Sequence, residues 1–302
     1  MRRNNVRLEI PKSCLTMLNE FEASESDSPP PPPQSVRIGR LVHSVKALNA
    51  ITASLPAAYG WRFITADNFT KLYEARARGG ASIAELNTLY WRDMLATIEA
   101  NTVMSVWRMV DICQSAFRCI EEDAIVASAI LARSALESSV QFVQDARTFA
   151  ASLEQVMQAD LRANIGHSSE LEQYLLQTVY ASKQADADEI YRPKNILTVL
   201  RNIAKIAKDE PLEEQYEILC EVTHPNFLGR SIYVAGAEAD PSTGSELRTI
   251  SPQNGLATER LLRSILWTLS WAIEAQATST HLVQGAVRDF VGILPPKSSS
   301  LN

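Results

Sequence analysis

Glycine is scarce in this chain, 11 residues in 302, which argues against a turn-rich all-β fold. No P-loop and no dinucleotide-binding glycine fingerprint is present. Cysteine is rarer still: Cys14, Cys113, Cys119 and Cys220 show no Cys-x-x-Cys or zinc-ligand spacing. Cys113 and Cys119, six apart in a helical pattern, fall on opposed faces and cannot bridge each other there. Free buried thiols in a reducing cytoplasm are the expectation. Of the four histidines only His224 has Glu three residues before it, so a di-metal bundle site lacks its second half-motif. No metal and no cofactor is expected. No Gly-x-Ser-x-Gly elbow supports a Ser-His-Asp triad. Positive charge is also short: a net charge of −6 and a pI near 5.4 argue against a broad nucleic-acid surface and leave room only for a local basic patch. Met1–Arg7 is basic, but Glu9, Lys12 and Glu20 interrupt any apolar run after it, so neither a signal peptide nor a membrane partner is expected.

What is abundant is helical periodicity. The stretch from Asp123 to Phe149 carries apolar or small residues at almost every helical angle, the mark of a helix central in a bundle. Arg133 and Glu137 in mid-span make a membrane crossing costly. Ser82-Ile83-Ala84-Glu85 is a capping box that opens a long pattern through Phe117, with a bend expected near Asn101-Thr102. Shorter helices are expected over Val36–Ala58, over Asp67–Arg78 closed by Gly79-Gly80, and from a second capping box at Ser169–Glu172. Two more follow, one opened by Pro193 and one running from Asp209-Glu210-Pro211 to His224-Pro225. Ser231–Val234 and Glu246–Ile250 flank the turn residues Asp240–Gly244 and read as a two-stranded excursion or as a long loop. A last helix spans about Ala257 to Phe290.

The fold class that follows is all-α, a helical bundle around a central buried helix, with a small β-hairpin inserted before the last helix. Residues 1–35 form an N-terminal segment and a flexible linker whose run Pro29–Pro33 favours an extended spacer. Residues 36–294 form a single helical domain, and 295–302 a disordered tail.

Arg133 and Glu137 are four apart and share a helix face. One carboxylate cannot satisfy the five N–H donors of an arginine, so both side chains should reach neighbouring helices. They form either a structural ion-pair network or part of an active site. On the later helix Glu217, Glu221 and His224 share a face. Glu221 there raises the basicity of His224 for acid–base chemistry, or His224 simply caps the helix.

A helix bearing Arg133-Ser134-x-x-Glu137, followed by Tyr216-x-x-Leu219-Cys220-Glu221-x-x-His224-Pro225-Asn226, resembles a group of bacterial helical proteins loosely related to the HEPN superfamily. The resemblance covers about Ser82 to Phe290. It implies a cytoplasmic helical bundle, often dimeric and sometimes a metal-independent endoribonuclease of toxin or phage-defence systems. RNA, or a protein partner such as an antitoxin, would then be bound. Nuclease members place an Arg about five residues before the catalytic His, whereas Ile218, Leu219 and Cys220 stand here. Arg133 would have to replace it, holding a phosphate while His224 handles the proton. The candidate catalytic set is therefore Arg133, Glu137, Glu221 and His224. The pair Arg162 and His167 has that spacing too, but at an apparent helix break.

Arg192, Lys194, Arg201, Lys205 and Lys208 form the candidate nucleic-acid contact, a stripe able to follow a phosphate backbone; a solvated helix face explains it equally. Trp267 and Trp271, four apart, read as core or dimer packing. The alternative to an RNA-directed effector is a non-catalytic binding or oligomerisation module whose Arg133-Glu137-His224 cluster is structural.

Overall fold

Helices carry the chain in the computed structural model, which describes residues 7–25, 38–63, 66–80, 82–158, 161, 166–184, 186, 188–208, 211–224, 226–251, 255 and 257–294. The elements in order are α1 (Lys12–Glu25), α2 (Ile38–Ser54), α3 (Ala66–Ala77), α4 (Ile83–Glu121), α5 (Ile125–Met157) and α6 (Ser169–Val179). A 3₁₀ turn at Glu189–Tyr191 precedes α7 (Ile196–Ile206), α8 (Leu212–Thr223) and α9 (Phe227–Ser231). The hairpin of β1 (Val234–Asp240) and β2 (Ser245–Ile250) then leads into α10 (Thr258–Ile293). The all-α class, the central helix and the hairpin before the last helix all stand. The proline run Pro29–Pro33 and the tail 295–302 lie outside the described residues, as does Arg162.

Local chemistry explains where the helices start and stop. The Glu85 N–H donates to Ser82 Oγ at 3.2 Å, and the Ser82 N–H donates to Glu85 Oε2 at 2.7 Å. That reciprocal box starts α4, which stays helical through Asn101 and Thr102 to Glu121. The cap of α6 falls one residue earlier than the sequence pattern indicates: Ser168, not Ser169, accepts the Leu171 N–H. After α3, Gly79 takes the left-handed backbone (φ 78°), and the Gly79 and Gly80 N–H groups return to Arg76 and Ala75 carbonyls. Between α4 and α5 the same turn is made by Asp123 (φ 55°), with the Ala124 N–H on the Cys119 carbonyl. Two long helices are thereby joined with almost no linker.

The chain divides into two compact units, and α4, α5 and α10 supply residues to each. The first comprises 1–54, 107–141 and 196–277. In it α5 contributes Ala129, Ala132, Ala135, Leu136 and Val140, all fully buried, and the small residues let neighbouring backbones come close. Ser128 Oγ donates to the Ala116 carbonyl of α4 at 3.1 Å. Residues 7–25, which carry α1, dock on this unit. Leu8, Cys14 and Leu18 are buried, and the Asn49 side chain bonds both the N–H and the carbonyl of Leu8 at 2.8 Å. Trp267 and Trp271 of α10 are core residues. Gln215 of α8 accepts from Ser264 of α10 at 2.5 Å in a buried setting.

The second unit comprises 55–106, 142–195 and 278–302. Its core gathers Trp91, Phe142, Phe149, Leu153, Leu171 and Phe290, with Trp91 and Phe290 ring centres 4.8 Å apart. Two polar contacts organise it. Buried Asn87 donates to the Leu161 carbonyl at 2.6 Å and accepts the Gly166 N–H at 2.9 Å, fixing both ends of the segment between α5 and α6. Tyr174 donates to Asp145 Oδ1 at 2.8 Å within the core, and burial followed by the Asp145 charge pushes that phenol's pKa well up.

Candidate functional site

The reactive-looking residues of the first unit assemble where α5 meets α8. Both helices present them by simple phase: Arg133 and Glu137 are four apart on α5, and Tyr216 and Thr223 are two turns apart on α8. Leu219, fully buried, lies between the latter two and holds α8 in place. Arg133 Nε donates to Glu137 Oε1 at 3.0 Å, Nη1 to Thr223 Oγ1 at 2.8 Å, and Nη2 to the Tyr216 hydroxyl at 3.2 Å. Tyr216 in turn donates to Glu137 Oε1 at 3.1 Å, and Thr223 donates to the Cys220 carbonyl at 3.1 Å. The guanidinium carbon stands 5.2 Å from the Tyr216 ring centre, adding a cation–π contact.

The electrostatics hold each group in one form. Burial pushes the Tyr216 phenol up to about 12; the Arg133 hydrogen bond opposes this, and Glu137 reinforces it. The phenol therefore stays neutral and can donate. Burial works against the Arg133 charge, but the Tyr216 bond and the neighbouring Cys220 and Glu137 raise its pKa above the ordinary value. The pair is only partly withdrawn from water, with the Arg133 and Glu137 side chains 25% and 32% exposed.

Of the four expected catalytic residues the structure joins two, Arg133 and Glu137. The other two, Glu221 and His224, stand at the C-terminal end of α8. Residue His224 is the C-cap of α8: its backbone N–H still reaches the Cys220 carbonyl at 3.0 Å, and its extended ψ of 154° carries the chain that follows out of the helix. The reason is local: a residue preceding proline is pushed out of the α region. Glu221 is exposed and accepts from Asn226 Nδ2 at 3.0 Å. Among the described residues no hydrogen bond or ion pair links Arg133 or Glu137 to His224 or Glu221. Gly229 lets α9 fold back on this helix end, since a Cβ there would sit 3.0 Å from the Val222 carbonyl oxygen.

The histidine with nuclease spacing to an arginine, His167, contacts Glu172 Oε2 through Nε2 at 3.1 Å and packs on Tyr90. Of the basic residues, Arg201 and Lys205 lie on α7; Arg192 and Lys194 precede the helix and Lys208 follows it. Of Lys194, Arg201, Lys205 and Lys208, expected on one helical face with Arg192 extending it, two lie on the helix, because α7 opens at Ile196 rather than at Pro193 and ends at Ile206. All five are exposed. Arg201 stands 3.7 Å from Glu213, and the Lys194 ammonium sits 4.3 Å over the Tyr174 ring.

Tyr216 and Thr223 are the partners that sequence reasoning missed as site residues; their seven-residue spacing on an amphipathic helix was the available signal. A cavity of about 390 Å³ in this unit is lined by Ile125, Val126, Ile130, Ile232, Tyr233 and Thr258 among others, and the arginine network is not part of it. Among the described residues no three His, Cys, Asp or Glu side chains gather as metal ligands, and no helix is long and apolar enough to cross a membrane. Compared with protein-family models, with curated proteins and with solved structures, the chain matches none.

Proposed function

We propose that this chain is a non-catalytic helical binding or oligomerisation module, and that its arginine network is architecture. One observation carries this. Each of the three guanidinium nitrogens of Arg133 is taken by a protein oxygen of the same unit. An arginine that stabilises a phosphate transition state keeps its N–H fork free for the substrate. A general base must also reach the same reacting group, and His224 makes no bond to this network among the described residues. The network instead ties α5 to α8 at one register, a role buried ionic groups are known to fill.

The test is RNA cleavage by the purified protein with chelator present, comparing wild type, Arg133→Ala and His224→Ala, each checked by circular dichroism. The expected result is no cleavage by any of them, lowered stability in Arg133→Ala and unchanged stability in His224→Ala. Cleavage by wild type that a folded His224→Ala variant loses would overturn the proposal. That outcome would favour the reading of a HEPN-like RNA-directed effector in a toxin or phage-defence system. Its supporting observation is the exposure of Glu221, His224 and Asn226 at one end of α8.

A further inference from the structure

The hairpin before α10 has two strands and, among the described residues, no third. A lone two-stranded ribbon is marginal in water, and this one lies open: all six residues of β2 are exposed, Leu247 at 65% and Ile250 at 68%. Its geometry is nonetheless well fixed. Asp240 accepts from the Ser242 N–H at 2.9 Å and from the Ser242 and Thr243 hydroxyls, and the Ser251 N–H ties the base of the ribbon to the Tyr233 carbonyl. The two outer edges differ. The β1 edge is interrupted by the irregularity between Val234 and Gly236 and is built of Ala, Gly and acidic residues, features that blunt pairing. The β2 edge, Ser245-Glu246-Leu247-Arg248-Thr249-Ile250, has no bulge, no Gly and no Pro, and ends in good strand formers.

The sequence of β2 is complementary to itself. Glu246 and Arg248 flank Leu247 on one face of the strand and already lie 2.6 Å apart. Placed antiparallel to a second β2 about a two-fold axis at Leu247, Glu246 stands opposite the partner's Arg248, and Arg248 opposite the partner's Glu246. Ser245 meets the partner's Thr249, and Leu247 meets its own equivalent. Directly opposed unlike charges and Ser–Thr pairs both stabilise an antiparallel ladder. Moving the axis by one residue, to Glu246 or to Arg248, opposes like charges instead, so the pattern selects one register.

We propose that β2 pairs with β2 of a second copy of this chain, so that two hairpins form one four-stranded antiparallel sheet across a two-fold interface. This rests on the reading of the chain as an assembly module and names its partner.

The test is sedimentation velocity of the full chain at up to tens of micromolar. Wild type should dimerise. Glu246→Arg and Arg248→Glu should each weaken dimerisation at least tenfold, since each opposes like charges twice. An equimolar mixture of these two variants should recover a heterodimer, and the doubly exchanged chain, Glu246→Arg with Arg248→Glu, should recover the homodimer. Far-UV circular dichroism checks that every variant is folded. A wild type that stays monomeric overturns the proposal, as do single variants within twofold of wild type or a mixture that fails to associate. The RNA assay separates this from the preceding reading: loss of dimerisation without cleavage removes the β2 interface alone, and cleavage by an intact dimer removes the module reading alone.

Discussion

Tyr216→Phe tests whether the arginine network acts as a unit. The change removes one oxygen without leaving a cavity, because the ring stays in its 6%-exposed setting. Two hydrogen bonds go with it, one accepted from Arg133 at 3.2 Å and one donated to Glu137 at 3.1 Å. A hydrogen bond to a charged group contributes about 1.5–3 kcal/mol. The freed atoms, however, belong to side chains a quarter to a third exposed, which water can rehydrate. Arg133 and Glu137 also keep each other at 3.0 Å. The net cost should therefore be about 1–2 kcal/mol. Arg133→Ala removes three bonds and the packed stem of the side chain, and should cost more, about 2–4 kcal/mol. The double variant decides the question. If the residues form one network, its cost falls short of the sum of the singles by about 0.5–1.5 kcal/mol. The measurement is the urea-unfolding midpoint followed by circular dichroism, with the slope compared between variants to show that the denatured state is unchanged. Singles that add to the double within about 0.3 kcal/mol, or a Tyr216→Phe variant as stable as wild type, would refute the network.

Two further outcomes follow, one from this network and one from the cap of α4. The folded Tyr216 phenol titrates near 12 rather than 10, so the folded state holds its proton where the unfolded state has lost it; the associated stability is complete below pH 10 and falls as pH rises toward 12. Tyr216→Phe should flatten that alkaline decline, measured by thermal unfolding across the window, and an unchanged slope would count against the assignment. Ser82→Ala should cost about 1 kcal/mol by removing one half of the α4 capping box, with the loss read as faster hydrogen exchange in the first turn of α4; exchange unchanged there would mean that packing alone starts the helix.

The boundary between what was legible and what was not runs between local and distant chemistry. The capping box at Ser82, the glycine stop after α3 and the apolar phase of α5 involve residues a few positions apart, and each is in place. The cap of α6 moved by one residue because Ser168 and Ser169 are chemically equal candidates, and only the geometry of the Leu171 N–H separates them. Across longer separations the signal thins. That Arg133 and Glu137 pair with each other follows from their spacing. That two further donors of Arg133 go to Tyr216 and Thr223, 83 and 90 residues away, depends on which face of α8 packs on α5.

Two local rules act together at the histidine. Counting along α8 as a helix puts Glu217, Glu221 and His224 on one face. Reading Pro225 puts the preceding residue outside the helix. Steric exclusion ends the helix, because ψ 154° at His224 turns the chain that follows it, while ψ leaves the residue's own Cβ where the helix put it. The arginine is bonded to Tyr216, Thr223 and Glu137. A positive charge in a partly buried setting needs such partners for the sake of the fold, with no chemistry to perform. An arginine and a histidine in a helical sequence become a catalytic pair only when both reach the same reacting group, and the bonds that Arg133 makes here are ones the fold alone requires.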